Sequence, residues 1–306
     1  MKRIGFWFKF IGVILFFLML YKIGWEETFH SIQKVSFIHI CIAVLILWVA
    51  FYLKSMRWKL ISNSYHIPIG SYKAFKVFFI GLFLANVTPG RLGDFGRLLY
   101  IKEELPNQRI GWSSLIMDRL FDLACLIVFS LVAVIYYQIN FDILEFPKSY
   151  RSIVYWFSGI GIFFLIAFGF WKLLKNKLQS WKEAFQSNDL NLWTTLRSFG
   201  ITCMSMVLIY GVFNYVAWAM RIEINHIGLF LGTFVLGILS LLPITILGIG
   251  VREISLAIIF QLHNLPAEDA IGLSLIIFLL QLISFIPGAV WFYLSPIKLN
   301  DLKQGK

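Results

Sequence analysis

The sequence predicts an all-α, polytopic helical membrane protein with about six full spans and two broken, re-entrant hairpins arranged as an inverted repeat. Three observations predict it. The composition is strongly apolar, six runs approach bilayer length, and two further runs end abruptly in proline, closely spaced glycines and charges.

Of the 306 residues, 59% are hydrophobic, 18% aromatic and only 14% charged, with mean hydropathy +0.79. Soluble domains carry about 25% charged residues, and no single globular core absorbs such a surplus of apolar surface. Lipid must therefore be the solvent for much of it. The net charge of +11 would point to nucleic acid in a soluble protein. Here Lys and Arg lie between apolar runs, where the positive-inside rule places them, so a nucleic-acid partner is excluded.

The six runs are Phe6 to Tyr21, Phe37 to Leu53, Ser114 to Tyr137, Ile153 to Leu174, Phe199 to Met220 and Ile271 to Leu294. Each is near the roughly 20 residues that cross a bilayer as helix. The first follows Lys2 and Arg3 and could pass for a signal peptide, but Tyr21-Lys22-Ile23-Gly24 offers no small-x-small cleavage site. It reads as a retained helix. Trp25, Trp58, Trp112 and Trp291 stand near run ends, as interfacial aromatics do.

Two runs behave differently. Ala74 to Thr88 stops at Pro89-Gly90-Arg91-Leu92-Gly93-Asp94-Phe95-Gly96-Arg97, and Gly228 to Leu242 stops at Pro243, followed by Gly248, Gly250, Arg252 and Glu253. Proline and glycine interrupt a helix and leave backbone groups open. Non-helical backbone at membrane depth survives only where protein or a wet cavity covers it. We expect re-entrant hairpins over about residues 74–100 and 228–262, alike in residue type and without a strict alignment.

Charge placement supports that topology. With the N-terminus in the cytoplasm, six crossings and two re-entrants put most of the 27 basic residues on the cytoplasmic side. Lys22, Lys34, Lys148, Arg151, Arg221 and Arg252 remain outside it. Two full crossings in place of the hairpins would move the basic stretches Arg91 to Arg109 and Lys172 to Arg197 outside, against the rule. The chain then forms one transmembrane domain, 1–306, whose halves span about 1–137 and 153–294, with both termini cytoplasmic.

An Arg near mid-bilayer costs roughly 2.5 to 3.5 kcal/mol on the insertion scale. Buried charges therefore need partners or a purpose. The expected headgroup-binding residues are Arg91, Arg97, Arg119 and Arg252, because the planar guanidinium fork grips phosphate in bidentate fashion. Asp94, Asp118, Asp122 and Glu253 are the expected supporting carboxylates, with Asp118 and Asp122 four apart on one helical face. Pro89, Gly90, Gly93, Gly96, Pro243, Gly248 and Gly250 are the expected helix-breaking positions. The competing reading makes the charges internal ion pairs that staple broken helices, or interfacial residues that snorkel.

Other chemistry finds little support. Cys41, Cys125 and Cys203 each sit in an apolar run and read as small core residues. The five histidines are dispersed, giving no metal-ligand spacing. There is no P-loop, G-x-S-x-G or H-E-x-x-H, so no catalytic residue, cofactor or metal is assigned.

At these motifs the sequence resembles the flippase-like transmembrane domain family of lysylphosphatidylglycerol synthase, the multiple peptide resistance factor. The resemblance rests on Asn86 with Pro89 through Asp94 and Arg97, on Asp118-Arg119-Leu120-Phe121-Asp122, and on Leu242-Pro243 with Gly248, Gly250, Val251, Arg252 and Glu253. It covers nearly the whole chain. It implies a bacterial or archaeal inner-membrane protein that moves lipids between leaflets, either aminoacylated phospholipids or lipid-linked sugars. It also implies the stand-alone form, without the soluble aminoacyl-transferase domain. Asp94 departs from the Glu that relatives often carry, and Ile249 stands where a small or polar residue is expected.

The expected function is a non-enzymatic lipid translocase or lipid-binding protein, with membrane lipids as partners. Two alternatives stay open. One is a membrane-embedded transferase on a polyprenyl or phospholipid phosphate, with Asp118 or Asp122 as base. The other is an accessory scaffold for a separate synthase or glycosyltransferase.

Overall fold

The computed structural model describes residues 35–141, 189–240 and 250–295, without the side chains of 87, 89–92 and 138–141. The runs Phe6 to Tyr21 and Ile153 to Leu174, together with Pro243, Gly248 and Ile249, lie outside the described residues. Among those described, every regular element is helical.

Four helices are long and apolar enough to cross a membrane. They are α1 (Phe37–Ser64), α4 (Gln108–Phe141), α5 (Leu192–Ala219) and α8 (Ala267–Leu294). Each was expected from an apolar run, and each is longer than its run. A 28-residue helix reaches about 42 Å, against a hydrocarbon thickness of about 30 Å. Ile38, Leu45, Leu131, Ile135 and Ile286 are more than half exposed. In water such faces would be a liability, whereas in lipid they need no cover.

Between these helices lie two shorter hairpins. The first runs through α2 (Ser71–Val87), a 3-10 helix (Pro89–Gly96) and the single turn α3 (Arg97–Tyr100), and a further 3-10 turn, Lys102–Glu104, follows. The second comprises α6 (His226–Leu239) and α7 (Val251–Leu262). The first break is more regular than the sequence implies, because Pro89 to Gly96 stay helical with a tighter pitch. Thr88 makes the turn: its hydroxyl donates to Leu84 O at 2.7 Å and accepts from Gly93 N–H at 2.6 Å. A β-carbon at Gly93 would strike the Leu84 carbonyl. Gly93 therefore acts through close approach and not through an unusual backbone angle. Gly250 is the described glycine with positive φ, 91°, and it opens α7.

The two halves repeat. Phe37 and Leu192, Ser71 and His226, and Arg97 and Arg252 stand at one common sequence separation, so the long helix, hairpin, long helix order recurs in register. This corrects the expectation that the hairpins match in residue type alone. The repeats are also inverted. Helices α1 and α5 pack antiparallel, with His39 Nδ1 2.8 Å from Tyr215 Oη near one end and Ser64 O accepting from Asp189 N–H near the other. Partners then cross over. The second hairpin packs on α4, where Tyr137 donates to Gly228 O at 2.9 Å, and the first packs on α8, where Gly288 meets the Phe79 backbone.

The hairpins consequently start from opposite ends of the bundle. Ser71, which accepts from Lys59 Nζ at 2.8 Å, marks the end shared by Ser64 and Ser295. His226 marks the other, beside the C-terminus of α5, where its ring lies 3.2 Å from Asn214 Oδ1. Lys59, Lys73, Lys76, Lys102, Arg109 and Arg197 all stand toward the first end. That asymmetry is what cytoplasmic basic loops produce. Single cysteines at Asn107 and Leu190 are expected to label from the cytoplasmic side, and one at Arg221 from the opposite side. Exterior labelling of Asn107 or Leu190 would contradict this topology.

Candidate functional site

Helices α1, α4 and α5 close around a buried ionic network. Arg57, fully enclosed, donates from Nε to Asp118 Oδ1 at 2.9 Å, and from Nη1 to Asp122 Oδ1 at 2.6 Å and Thr202 Oγ1 at 2.8 Å. Its Nη2 reaches the Asp118 carbonyl at 3.1 Å. Lys54 Nζ lies 3.0 Å from both oxygens of Asp122. A lone charge here would be prohibitively desolvated, whereas this fork of contacts satisfies both carboxylates.

The first hairpin adds two more cations. Arg97 is fully buried, pairing with Asp94 and, at 3.5 Å, with Asp118 Oδ2. Its guanidinium lies 4.4 Å from the Phe78 ring centroid and 5.3 Å from that of Trp58. Weakly hydrated Arg tolerates such aromatic contact better than Lys. Gly81 makes room for it, since a β-carbon there would run into the Arg97 side chain. Arg119, more exposed, pairs with Asp94 and lies 3.8 Å from Asp122.

The second hairpin builds a smaller counterpart. Arg252 donates to Ser274 Oγ at 2.7 Å, Gln281 Oε1 at 3.1 Å and Glu253 Oε1 at 3.1 Å. Ser274 in turn donates to Glu253 Oε1 at 2.5 Å. The other Glu253 oxygen accepts from Gly250 N–H at 2.5 Å, satisfying one open donor at the N-terminus of α7. Glu253 thus spends one oxygen on the broken backbone and one on the arginine.

Both hairpins face one crevice of about 470 Å³. Lys54, Asn86, Arg97, Asp118, Arg119 and Asp122 line it from the first half, and Ser240, Arg252 and Gln281 from the second. Leu236 also walls a second, apolar groove of about 270 Å³, bounded by Val134, Tyr137 and Ile258.

The chain belongs to the lysylphosphatidylglycerol synthase TM region family. The match runs over residues 7–288 and so takes in both hairpins. Among curated proteins, a UPF0104 membrane protein of Pyrococcus horikoshii is 28% identical over 130 residues, covering 41% of this chain and 39% of that one. A UPF0104 membrane protein of Methanocaldococcus jannaschii is 27% identical over 74% of this chain and 98% of its own length. A second from that organism is 22% identical over 82% and 83%. No solved structure matches the chain.

Of the expected site residues, Arg97, Arg119, Arg252, Asp94, Asp118, Asp122 and Glu253 come together around the crevice or directly behind it. The Arg91 side chain lies outside the described ones. Sequence reasoning missed Lys54 and Arg57, which it counted only among the basic residues of the cytoplasmic side. The available signal was their spacing of three residues on one helical face, directly after an apolar run with no intervening breaker. It also missed Thr202, Ser274 and Gln281, hidden as tolerated polar residues within apolar runs.

Arg57→Met is expected to destabilise the protein by about 3–5 kcal/mol, because it removes the inner partner of two buried carboxylates and leaves Asp118 only its longer contact with Arg97, at 3.5 Å. Pairing it with Asp118→Asn should recover part of the loss in denaturant unfolding of purified protein. Full stability of the single variant would show that the network is not buried as described.

Proposed function

We propose that this family member holds, and passes between leaflets, a lipid whose anionic, phosphate-bearing headgroup occupies the crevice. The observation that carries the reading is the meeting of Arg97 and Arg252, from hairpins that start at opposite ends of the bundle, on one cavity. A headgroup arriving from either side would meet guanidinium groups already paired and positioned, so little side-chain ordering remains on binding. The adjoining apolar groove, sharing Leu236, offers a path for an acyl chain beside the headgroup. In this reading the two halves act as one transmembrane domain, in the manner of inverted-repeat transporters with a site at the repeat interface.

A transferase that uses Asp118 or Asp122 as base is less well supported. Asp118 is committed to Arg57 and Arg97, and Asp122 to Lys54 and Arg57. Each carboxylate thus has both oxygens turned to cations, and neither is left open toward a reacting group. The protein is therefore proposed to relocate its lipid without converting it.

Arg97→Gln and Arg252→Gln, each reconstituted in vesicles, are expected to lower headgroup transfer about tenfold or more, the worth of one charge-assisted hydrogen bond. Unchanged transfer in both variants would contradict the reading. So would chemical conversion of a labelled lipid by the purified protein.

A further inference from the structure

The apolar groove between α4, α6 and α7 has a direction. At its inner end Leu236 walls the crevice as well, with Leu239 one turn further along α6. At its outer end stand Tyr137, bonded to Gly228 O, and Leu262, next to His263, whose ring a β-carbon at Gly228 would strike. Gly228 is two residues from His226, so the groove leads from the crevice toward the bundle end that His226 marks. Gly228 to Leu239 is about 16 Å of helix. Both hydroxyls of the groove are committed, Tyr137 to Gly228 O and Ser255 to Val251 O at 2.7 Å, and the rest of the lining among the described residues is aliphatic or glycine. Water gains nothing in such a space, whereas a hydrocarbon chain restores the dispersion contacts that an empty groove forfeits. Val134 and Ile258, 45% and 54% exposed, open its rim to the bilayer.

The repeat does not build this seat twice. At the separation that relates Arg97 to Arg252, Gly232 corresponds to Val77 and Ser255 to Tyr100, both larger, and Ile258 and Ile259 correspond to Glu103 and Glu104. Val77 is buried and Glu104 is paired with Lys73, so the same positions are filled and charged in the first half. From the continuity with the crevice and this asymmetry we infer that one acyl chain of the lipid whose headgroup sits in the crevice lies in the groove, its ester end at Leu236 and its methyl end toward Tyr137 and Leu262. The inference rests on the headgroup reading given above and deepens it. A lipid merely resident at that side of the membrane would lie the other way round, with its headgroup at the surface near His226 and its methyl end near Leu239. Bilayer hydrocarbon is as apolar as the groove, so the seat supplies orientation and little affinity.

The test uses full-length protein in vesicles containing phosphatidylglycerol with a photoreactive diazirine either near the ester or at the methyl end of one chain, and adducts are mapped by mass spectrometry. The methyl-end probe is expected to label around Tyr137 and Leu262 about fivefold over Leu236 and Leu239, the ester-end probe in the reverse order, and Arg252→Gln should cut both. Val134→Trp and Ile258→Trp, which narrow the groove from its exposed rim, should lower lipid transfer about fivefold or more through lost orientation, with binding of the chainless glycerophosphoglycerol unchanged. The wild-type labelling pattern decides the matter whether or not those variants fold. Methyl-end labelling at Leu239, groove labelling undiminished in Arg252→Gln, or no groove labelling at all overturns the inference and leaves the headgroup reading standing. Unchanged transfer in both Trp variants does the same. Wild-type protein that binds neither phosphatidylglycerol nor glycerophosphoglycerol overturns the headgroup reading as well.

Discussion

The contact on which the rest depends is the Arg57 fork on Asp118 and Asp122. It joins α1 to α4 and, through Thr202, to α5, so it crosses from one repeat to the other. Replacing a buried ion pair by apolar residues often costs nothing in stability, so its presence is better explained by what it positions than by what it stabilises. Asp118 uses its second oxygen for Arg97, and Asp122 its second for Lys54. The fork thus fixes the two carboxylates from which the first-half cations of the crevice are hung.

The second-half counterpart is built with less charge. Arg252 occupies the position equivalent to Arg97, but one carboxylate and two neutral groups, Ser274 and Gln281, hold it in place of two carboxylates. The inverted repeat therefore has a symmetric backbone plan and an asymmetric electrostatic one. The geometry at both arginines is secured by glycines used in different ways. Gly81 clears space for a side chain, whereas Gly250 turns the backbone so that an open N–H meets Glu253.

Much of this was readable in the sequence, and the reasons differ by element. The four described spans announce themselves because lipid tolerates only long apolar helices, which leaves little ambiguity. Arg97 and Arg252 stood out because each follows glycines that interrupt such a run. Lys54 and Arg57 did not, for a physical reason. Charges directly after an apolar run normally mark the membrane surface, and nothing local distinguishes a helix that stops there from one that continues to Ser64. The repeat register was obscured because Thr88 with Gly93 turns the first hairpin, whereas Gly250 opens α7 with a positive φ, although the constant spacing of Arg97 and Arg252 was already present. Cys125 and Cys203, read separately as core residues, face each other with sulfurs 3.8 Å apart. That proximity is a product of α4 packing on α5 and has no trace in spacing.

The central claim is that two hairpins from opposite faces meet at one gap, and chemical cross-linking in intact membranes tests it most directly. Asn86 and Ser240, at the inner ends of α2 and α6, line the same crevice. With Cys41, Cys125 and Cys203 replaced by Ala, cysteines at those two positions are expected to be joined by a short bifunctional thiol reagent. The expected product is a cross-linked monomer whose formation is slowed by added anionic lipid. Two thiols that each react yet never link would contradict the account.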